Sequence, residues 1–279
     1  MSGLGWVRVA ALYTRRRLAA STGATGDRRE TTSAPRLQPR RTSVSEDRAS
    51  PPPERNDGDA ASVAPAEPSP AAPLPWRLAA EFAAMVRFYS RLALPPLGPA
   101  DDPANPPAFA RAIRLLPLAS AVIALPSAAL LALLGPSGLP DPVVGALAVA
   151  LLAFLTGAFH EDGLADVADG FGGGATAERR LEIMKDSRIG AFAGVALAAQ
   201  FVLRAGLIGE AVDRFDGIGA GLLFIAVAIL TRVAPLVLMV RLEPARADGL
   251  GRAAGRPEAR ALAVALAGGL GAFALLTGP

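Results

Sequence analysis

Cysteine is absent from the 279 residues, and histidine occurs once. The first absence excludes disulfides, thiolate metal ligands and a cysteine nucleophile, and leaves the redox compartment open. Aromatic residues make up only 5% and charged residues 19%, whereas hydrophobic residues make up 52%. The small net charge of +3 comes entirely from one region. Residues 1–75 carry 11 Arg and 8 acids, which leaves 17 basic and 17 acidic residues for 76–279. A folded part with no net charge lacks the electrostatic footprint of a nucleic-acid binder.

Residues 1–75 also hold 10 of the 25 prolines and few long apolar stretches. Such a segment buries too little apolar surface to offset chain entropy, which predicts a disordered Pro- and Arg-rich leader. Within it, Gly5 to Leu18 mixes aliphatics with Arg8, Arg15, Arg16 and Arg17. A secretory signal carries its charges before the apolar core, so a basic membrane-surface helix is the structured alternative.

Residues 76–279 read as an all-α, polytopic membrane domain of about five to six spans. Trp76 to Leu92 has Leu78, Phe82, Met85, Val86 and Tyr89 near one face, with Arg77, Glu81, Arg87 and Arg91 spread over the others. That pattern predicts an amphipathic helix, stopped by Pro95 and Pro96. Hydropathy then predicts spans at Leu115–Leu134, Val143–Phe159, Ile189–Gly209, Gly217–Val240 and Ala261–Thr277. Pro117 and Pro126 are candidate kinks in the first. Arg204 and Arg232 interrupt two others, where a buried arginine is costly and points to function or an internal ion pair. Gly268, Gly269 and Gly271 in the last span carry no functional assignment. Basic and non-basic connections alternate, with Arg179, Arg180, Lys185 and Arg188 in one loop and five Arg between Arg241 and Arg260 in another. The positive-inside rule therefore puts both loops on the cytoplasmic side.

The chemistry concentrates in His160–Gly170, HEDGLADVADG. On a helix, Asp162, Asp166 and Asp169 sit at roughly 0°, 40° and −20°, one narrow face. Three clustered acids repel unless a cation or bases offset them. Glu161 lies about 100° off that face and reads as solvated, and His160 points nearly opposite it. Gly172, Gly173 and Gly174 break the helix. Thr176 is a candidate cap for a second helix, Ala177–Arg188, carrying Glu178, Glu182 and Asp186 at i, i+4, i+8. Carboxylate oxygens without thiolates suit a hard cation, Mg²⁺ or Mn²⁺. Such an ion beside a glycine-rich turn and arginines fits phosphoryl transfer.

HEDGLADVADGFGGG followed by ERRLEIMKDSRIGAFAG resembles the signature of the adenosylcobinamide-GDP ribazoletransferase (cobalamin synthase) family. FYSRLALP at Phe88–Pro95 and LTRVAPLVLMVRLEPARADGLG at Leu230–Gly251 look like two further family segments, so the resemblance runs from about Trp76 to the end. It implies a Mg²⁺-dependent, multi-pass inner-membrane enzyme that joins adenosylcobinamide-GDP to α-ribazole or its 5′-phosphate and releases GMP. Membrane lipid surrounds such an enzyme, a homo-oligomer is allowed, and nucleic acid is not a partner. The implied metal and diphosphate ligands are Asp162, Asp166 and Asp169, completed by Asp186. Asp166 and Asp169 are the catalytic carboxylates, with Asp169 the first choice of base. Arg180, Lys185, Arg188, Arg232 and Arg241 are the implied phosphate contacts. Three features depart from the family pattern: Glu161 stands where an apolar residue is usual, the leader is long, and the expected last apolar segment with a Gly-Asp pair is not seen. A CDP-alcohol phosphatidyltransferase would need an Ala-Arg step after the DG pair and a later pair of Asp. A transporter would show an internal repeat and acids at the midplane. Neither pattern is present.

Overall fold

The computed structural model describes residues 72–246 and 250–278, so the predicted leader lies almost wholly outside the described residues. All the regular structure among them is helical. Helix α1 spans Leu74–Tyr89. Its apolar face is buried as the periodicity predicts, through Met85, Val86 and Tyr89. A short turn of helix, α2 (Phe109–Ala112), leads through a 3-10 turn into α3 (Leu116–Leu134). Pro117 lies in the first turn of α3, where a missing N–H costs nothing, so it starts the helix and does not kink it. Helix α4 is Asp141–Thr156, α5 is Phe159–Gly173 and α6 is Ala177–Ile183. Then come α7 (Ala191–Val233), α8 (Pro235–Arg241), α9 (Leu250–Ala254) and α10 (Ala259–Thr277).

The two predicted spans at 189–209 and 217–240 are joined with no loop between them. Helical backbone runs through α7 except at Asp216, whose φ of 61° and ψ of −180° divide it into arms 191–215 and 217–233. That conformation is costly for a residue with a Cβ. It is offset locally, because the Asp216 Oδ1 accepts the backbone N–H groups of Ile218 (2.8 Å) and Gly219 (2.9 Å) and so caps the second arm.

Close backbone approach fixes the helix directions. A Cβ at Gly145 would overlap the Ala205 carbonyl oxygen, and one at Gly209 would lie 2.7 Å from the Asp141 carbonyl carbon. A Cβ at Gly217 would overlap the Leu131 carbonyl oxygen, and one at Gly221 would lie 2.9 Å from that of Ala128. The first arm thus runs antiparallel to α4 and the second antiparallel to α3. With α3 and α4 joined by a short turn, the four form an up-down bundle in which small residues replace bulky ridges. Helix α10 runs in step with α2 and α3: the Glu258 N–H donates to the Ala110 carbonyl, and Gly268 faces Pro117. One end of the bundle therefore collects the start of α3, the end of α4, the start and end of α7, and the start of α10.

Among the described residues, three helical stretches are long and apolar enough to cross a membrane: Phe109–Ser137, Ala191–Arg241 and Ala259–Thr277. The bent pair α4–α5 makes a fourth if taken as one span. The second stretch has 51 residues, far more than the ~20 that one crossing needs. Large apolar side chains such as Leu133, Phe154, Val195 and Leu275 stand exposed around the outside, as on a lipid-facing surface.

Candidate active site

The acidic segment begins at a sharp corner. Gly157 (φ 66°) and Ala158 (φ 57°) are both left-handed, and α5 leaves α4 at 92°. The corner is braced from outside α4: the Arg91 N–H donates to the Leu155 carbonyl at 2.6 Å, and the Arg91 side chain lies against Gly157. The second apolar run therefore stops at Thr156, and Phe159 starts the next helix.

Helix α5 carries Asp162, Asp166 and Asp169 as the spacing predicts. Asp162 is exposed, and Asp166 and Asp169 are half-buried. Asp169 has a role that spacing does not reveal. Its Oδ2 accepts the Gly190 N–H at 2.6 Å and its Oδ1 accepts the Ala193 N–H at 2.9 Å. It thus caps α7 from 21 residues away and ties the acidic helix to the first arm. A Cβ at Gly190 would sit 2.6 Å from the same carboxylate, so glycine permits the contact.

The glycine break is real and is held by a cation. Helix α5 ends at Gly173, and Arg180 Nε donates to the Gly174 carbonyl at 2.9 Å while its guanidinium lies 4.6 Å over the Phe171 ring. Thr176 caps α6 as expected, accepting the Arg179 N–H. Helix α6 is shorter than the sequence pattern suggests: it stops at Ile183, so Glu178, Glu182 and Asp186 are not one helical row. Arg179 pairs with Glu182 at 2.6 Å. Asp186 instead lies in the following turn, paired with Arg188 at 2.6 Å. The Arg188 side chain, helped by its own backbone N–H, holds the Asp186 carboxyl down at about 2, below the usual carboxylate range. Lys185 and Arg241 are exposed.

Two acidic residues are engaged in ion pairs: Glu81, which the sequence places off the apolar face of α1, and Glu161, which it reads as solvated. Glu81 is fully buried and accepts from Arg111 Nε at 3.0 Å and from Arg114 Nε at 2.7 Å. Glu161 is half-buried and pairs with Arg204 at 3.3 Å, the internal partner that an arginine within an apolar span calls for. Arg232 is only 5% exposed. It lines a cavity of about 430 Å³ with His160, Glu161 and Arg204. His160 itself stacks on Tyr89, ring centroids 6.1 Å apart.

Among the described residues, no three His, Cys, Asp or Glu side chains gather tightly enough to form a metal cage. An oxygen-only pair one turn apart nevertheless suits Mg²⁺, which takes one or two carboxylates and fills its shell with water and substrate phosphate. Each carboxylate oxygen of Asp169 has two acceptor directions, so capping α7 leaves capacity toward a cation.

A family model described as cobalamin-5-phosphate synthase matches residues 81–279. The chain belongs to the cobalamin-5-phosphate synthase family. It is therefore an enzyme, a transferase of cobalamin synthesis. Among curated relatives, the adenosylcobinamide-GDP ribazoletransferase of Azorhizobium caulinodans is 47% identical over 201 residues, 72% of this chain and 75% of that protein. The protein of the same name from Sinorhizobium medicae is 48% identical over 160 residues, 57% of this chain and 61% of its own length. That of Xanthobacter autotrophicus is 42% identical over 195 residues, 70% and 74% respectively. No solved structure matches. The matched region contains every residue discussed above from Glu81 onward, so the acidic helix, its glycine break and the cavity all belong to the family portion.

Proposed function

We propose that the chain joins adenosylcobinamide-GDP to α-ribazole or α-ribazole 5′-phosphate with release of GMP. The observation that carries this reading is the 47% identity over 201 residues to a relative named for that transfer. The acceptor hydroxyl oxygen attacks the phosphorus esterified to cobinamide. The bond from that phosphorus to the bridging oxygen breaks, and GMP departs with the electron pair. The protein's share is positioning and charge neutralisation.

Asp162, Asp166 and Asp169 offer Mg²⁺ their carboxylates, with Asp186 an added ligand if its pair with Arg188 opens. When bound, the ion supplies neutralisation of the diphosphate charge. Asp169, oriented by two backbone amides, is the first choice to take the hydroxyl proton, with Asp166 beside it. Arg180 keeps the glycine turn closed, and its remaining N–H groups face phosphate together with Lys185, Arg188 and Arg241. Arg232 contributes from the cavity. The site faces the cytoplasm from the inner membrane, because the basic loops leave the bundle at the end that carries the acids. Membrane lipid surrounds the bundle, and a homo-oligomer is compatible with this arrangement.

The test is purified full-length protein with adenosylcobinamide-GDP, α-ribazole and Mg²⁺, scored for GMP and corrinoid product. Asp166→Ala should lower GMP release by at least about 10³-fold, in line with the loss of a group that acts in the transition state. Membrane insertion should be unchanged. Turnover in the variant equal to the parent's would remove the acidic helix from the reaction.

A further inference from the structure

The cavity beside the acidic helix has a built polarity. Its walls come from α4, α5 and both arms of α7. Leu207, Ile208, Ala211, Leu223 and Phe224 line its apolar part. Thr156, His160, Glu161, Arg204, Thr231 and Arg232 supply its polar part. Its volume of about 430 Å³ lies in the range of small-molecule sites, ~300–1,000 Å³.

Two buried polar atoms in that lining have no protein partner. Arg232 Nη1 donates to the Ala228 carbonyl at 3.1 Å, but Arg232 Nε donates to nothing. Glu161 Oε1 accepts from Arg204 Nη1, but its Oε2 accepts from nothing. Leaving a guanidinium N–H and a carboxylate oxygen unmade in a buried place is costly. Both residues line the cavity, so a small turn of each side chain toward a bound ligand would answer both atoms. Two arginines and one glutamate leave the lining a net positive charge, so the ligand's charged end is an anion. The carboxylate oxygen calls for a hydroxyl or N–H on the same ligand. The apolar walls call for an apolar body.

We propose that this cavity binds a hydroxyl-bearing phosphate ester on an apolar body, its phosphate at Arg232 and its hydroxyl at Glu161. Resting on the transferase reading, the phosphorylated acceptor nucleoside is one source of that chemistry. A membrane phospholipid with a polyol headgroup is the other. Glu161, Arg204 and Arg232 then set which acceptor form is held and act before any bond changes.

The experiment is calorimetric binding to the full-length protein in detergent, with neither Mg²⁺ nor the cobinamide substrate present. The probes are α-ribazole 5′-phosphate, α-ribazole and a short-chain phosphatidylglycerol. Parent protein should prefer the phosphorylated nucleoside over the nucleoside by about tenfold or more, the worth of one charge-assisted hydrogen bond. Arg232→Gln should erase the preference, and Arg232→Lys should restore part of it. Leu223→Trp, which fills the apolar part, should weaken both nucleosides. The same dependence on Arg232 and Leu223 shown by phosphatidylglycerol alone would support the site with lipid as its source. Binding of every probe that ignores both residues would overturn it. Absence of GMP release with this binding pattern intact would count against the transferase reading alone.

Discussion

The bundle and the acidic segment across its end are held together by opposite means. In the bundle, contact depends on side chains that are missing. Gly145, Gly209, Gly217 and Gly221 let backbones meet where a methyl group would collide. In lipid there is no hydrophobic drive between helices, so this close packing is the main source of association. In the end segment, contact depends on charges that are present and answered. Asp169 is held by two amides, Asp186 by Arg188, the Gly174 carbonyl by Arg180, and Glu81 by two arginines. The first region is joined mainly by close backbone contact. The second places polar groups in fixed directions at one end of the bundle, which is what the proposed positioning of a diphosphate demands.

The sharpest way to break the charged region is Glu81→Gln. It leaves two arginines beside a fully buried neutral side chain, and removing one partner of a buried pair costs about 3–5 kcal/mol. Thermal unfolding in detergent should show the loss, and a midpoint unchanged from the parent's would mean that the pair adds nothing. Gly145→Leu tests the bundle. Its side chain has no room against the Ala205 carbonyl, and overpacking of this kind costs about 1–3 kcal/mol or more. Equal yield and unfolding temperature would show that α4 shifts away freely.

Asp169 separates the two roles of one carboxylate. Asp169→Ala removes the cap on α7, worth about 0.5–2 kcal/mol. Asp169→Asn keeps one capping oxygen and should lose little stability, yet it should lose most GMP release. Full activity in the Asn variant would reduce Asp169 to a structural cap. The smallest effect is at Asp186. Its carboxyl titrates at about 2 in the folded chain, against ~3.9 for a free aspartate. The unfolded chain takes up the proton more readily, so this pair favours the folded state above that ordinary value, and the contribution fades as the pH falls through 2. A carbon-13 carboxyl titration should show the low midpoint, and Arg188→Ala should return it toward the ordinary range.

Much of this was legible in the chain. The apolar runs at 115–134 and 261–277, the common face of Asp162, Asp166 and Asp169, the glycine break and the Thr176 cap appear where local pattern puts them, while the run at 143–159 stops at Thr156. The family signature lies in the same residues. Two local readings failed for local reasons. Helix α6 ends at Ile183 although charge spacing suggested continuation to Arg188, because periodic charge does not resist unwinding. Asp216 turns the chain within one residue, where hydropathy alone suggested a loop, because a single capping aspartate can start the return helix.

The sequence by itself determined which segments are long and apolar and which face of α5 is acidic, since hydropathy and helical period act over a few turns of one chain. Only the tertiary structure decided which charges are answered and by what. Glu81 meets arginines 30 and 33 residues away, Asp169 caps a helix 21 residues on, and Glu161 meets Arg204 across 43. The Asp169 and Glu161 pairings depend on glycine contacts that bring the helices together, at Gly190 and at Gly145 and Gly209, because a hydrogen bond forms only within about 3 Å and no local periodicity specifies a partner on another helix.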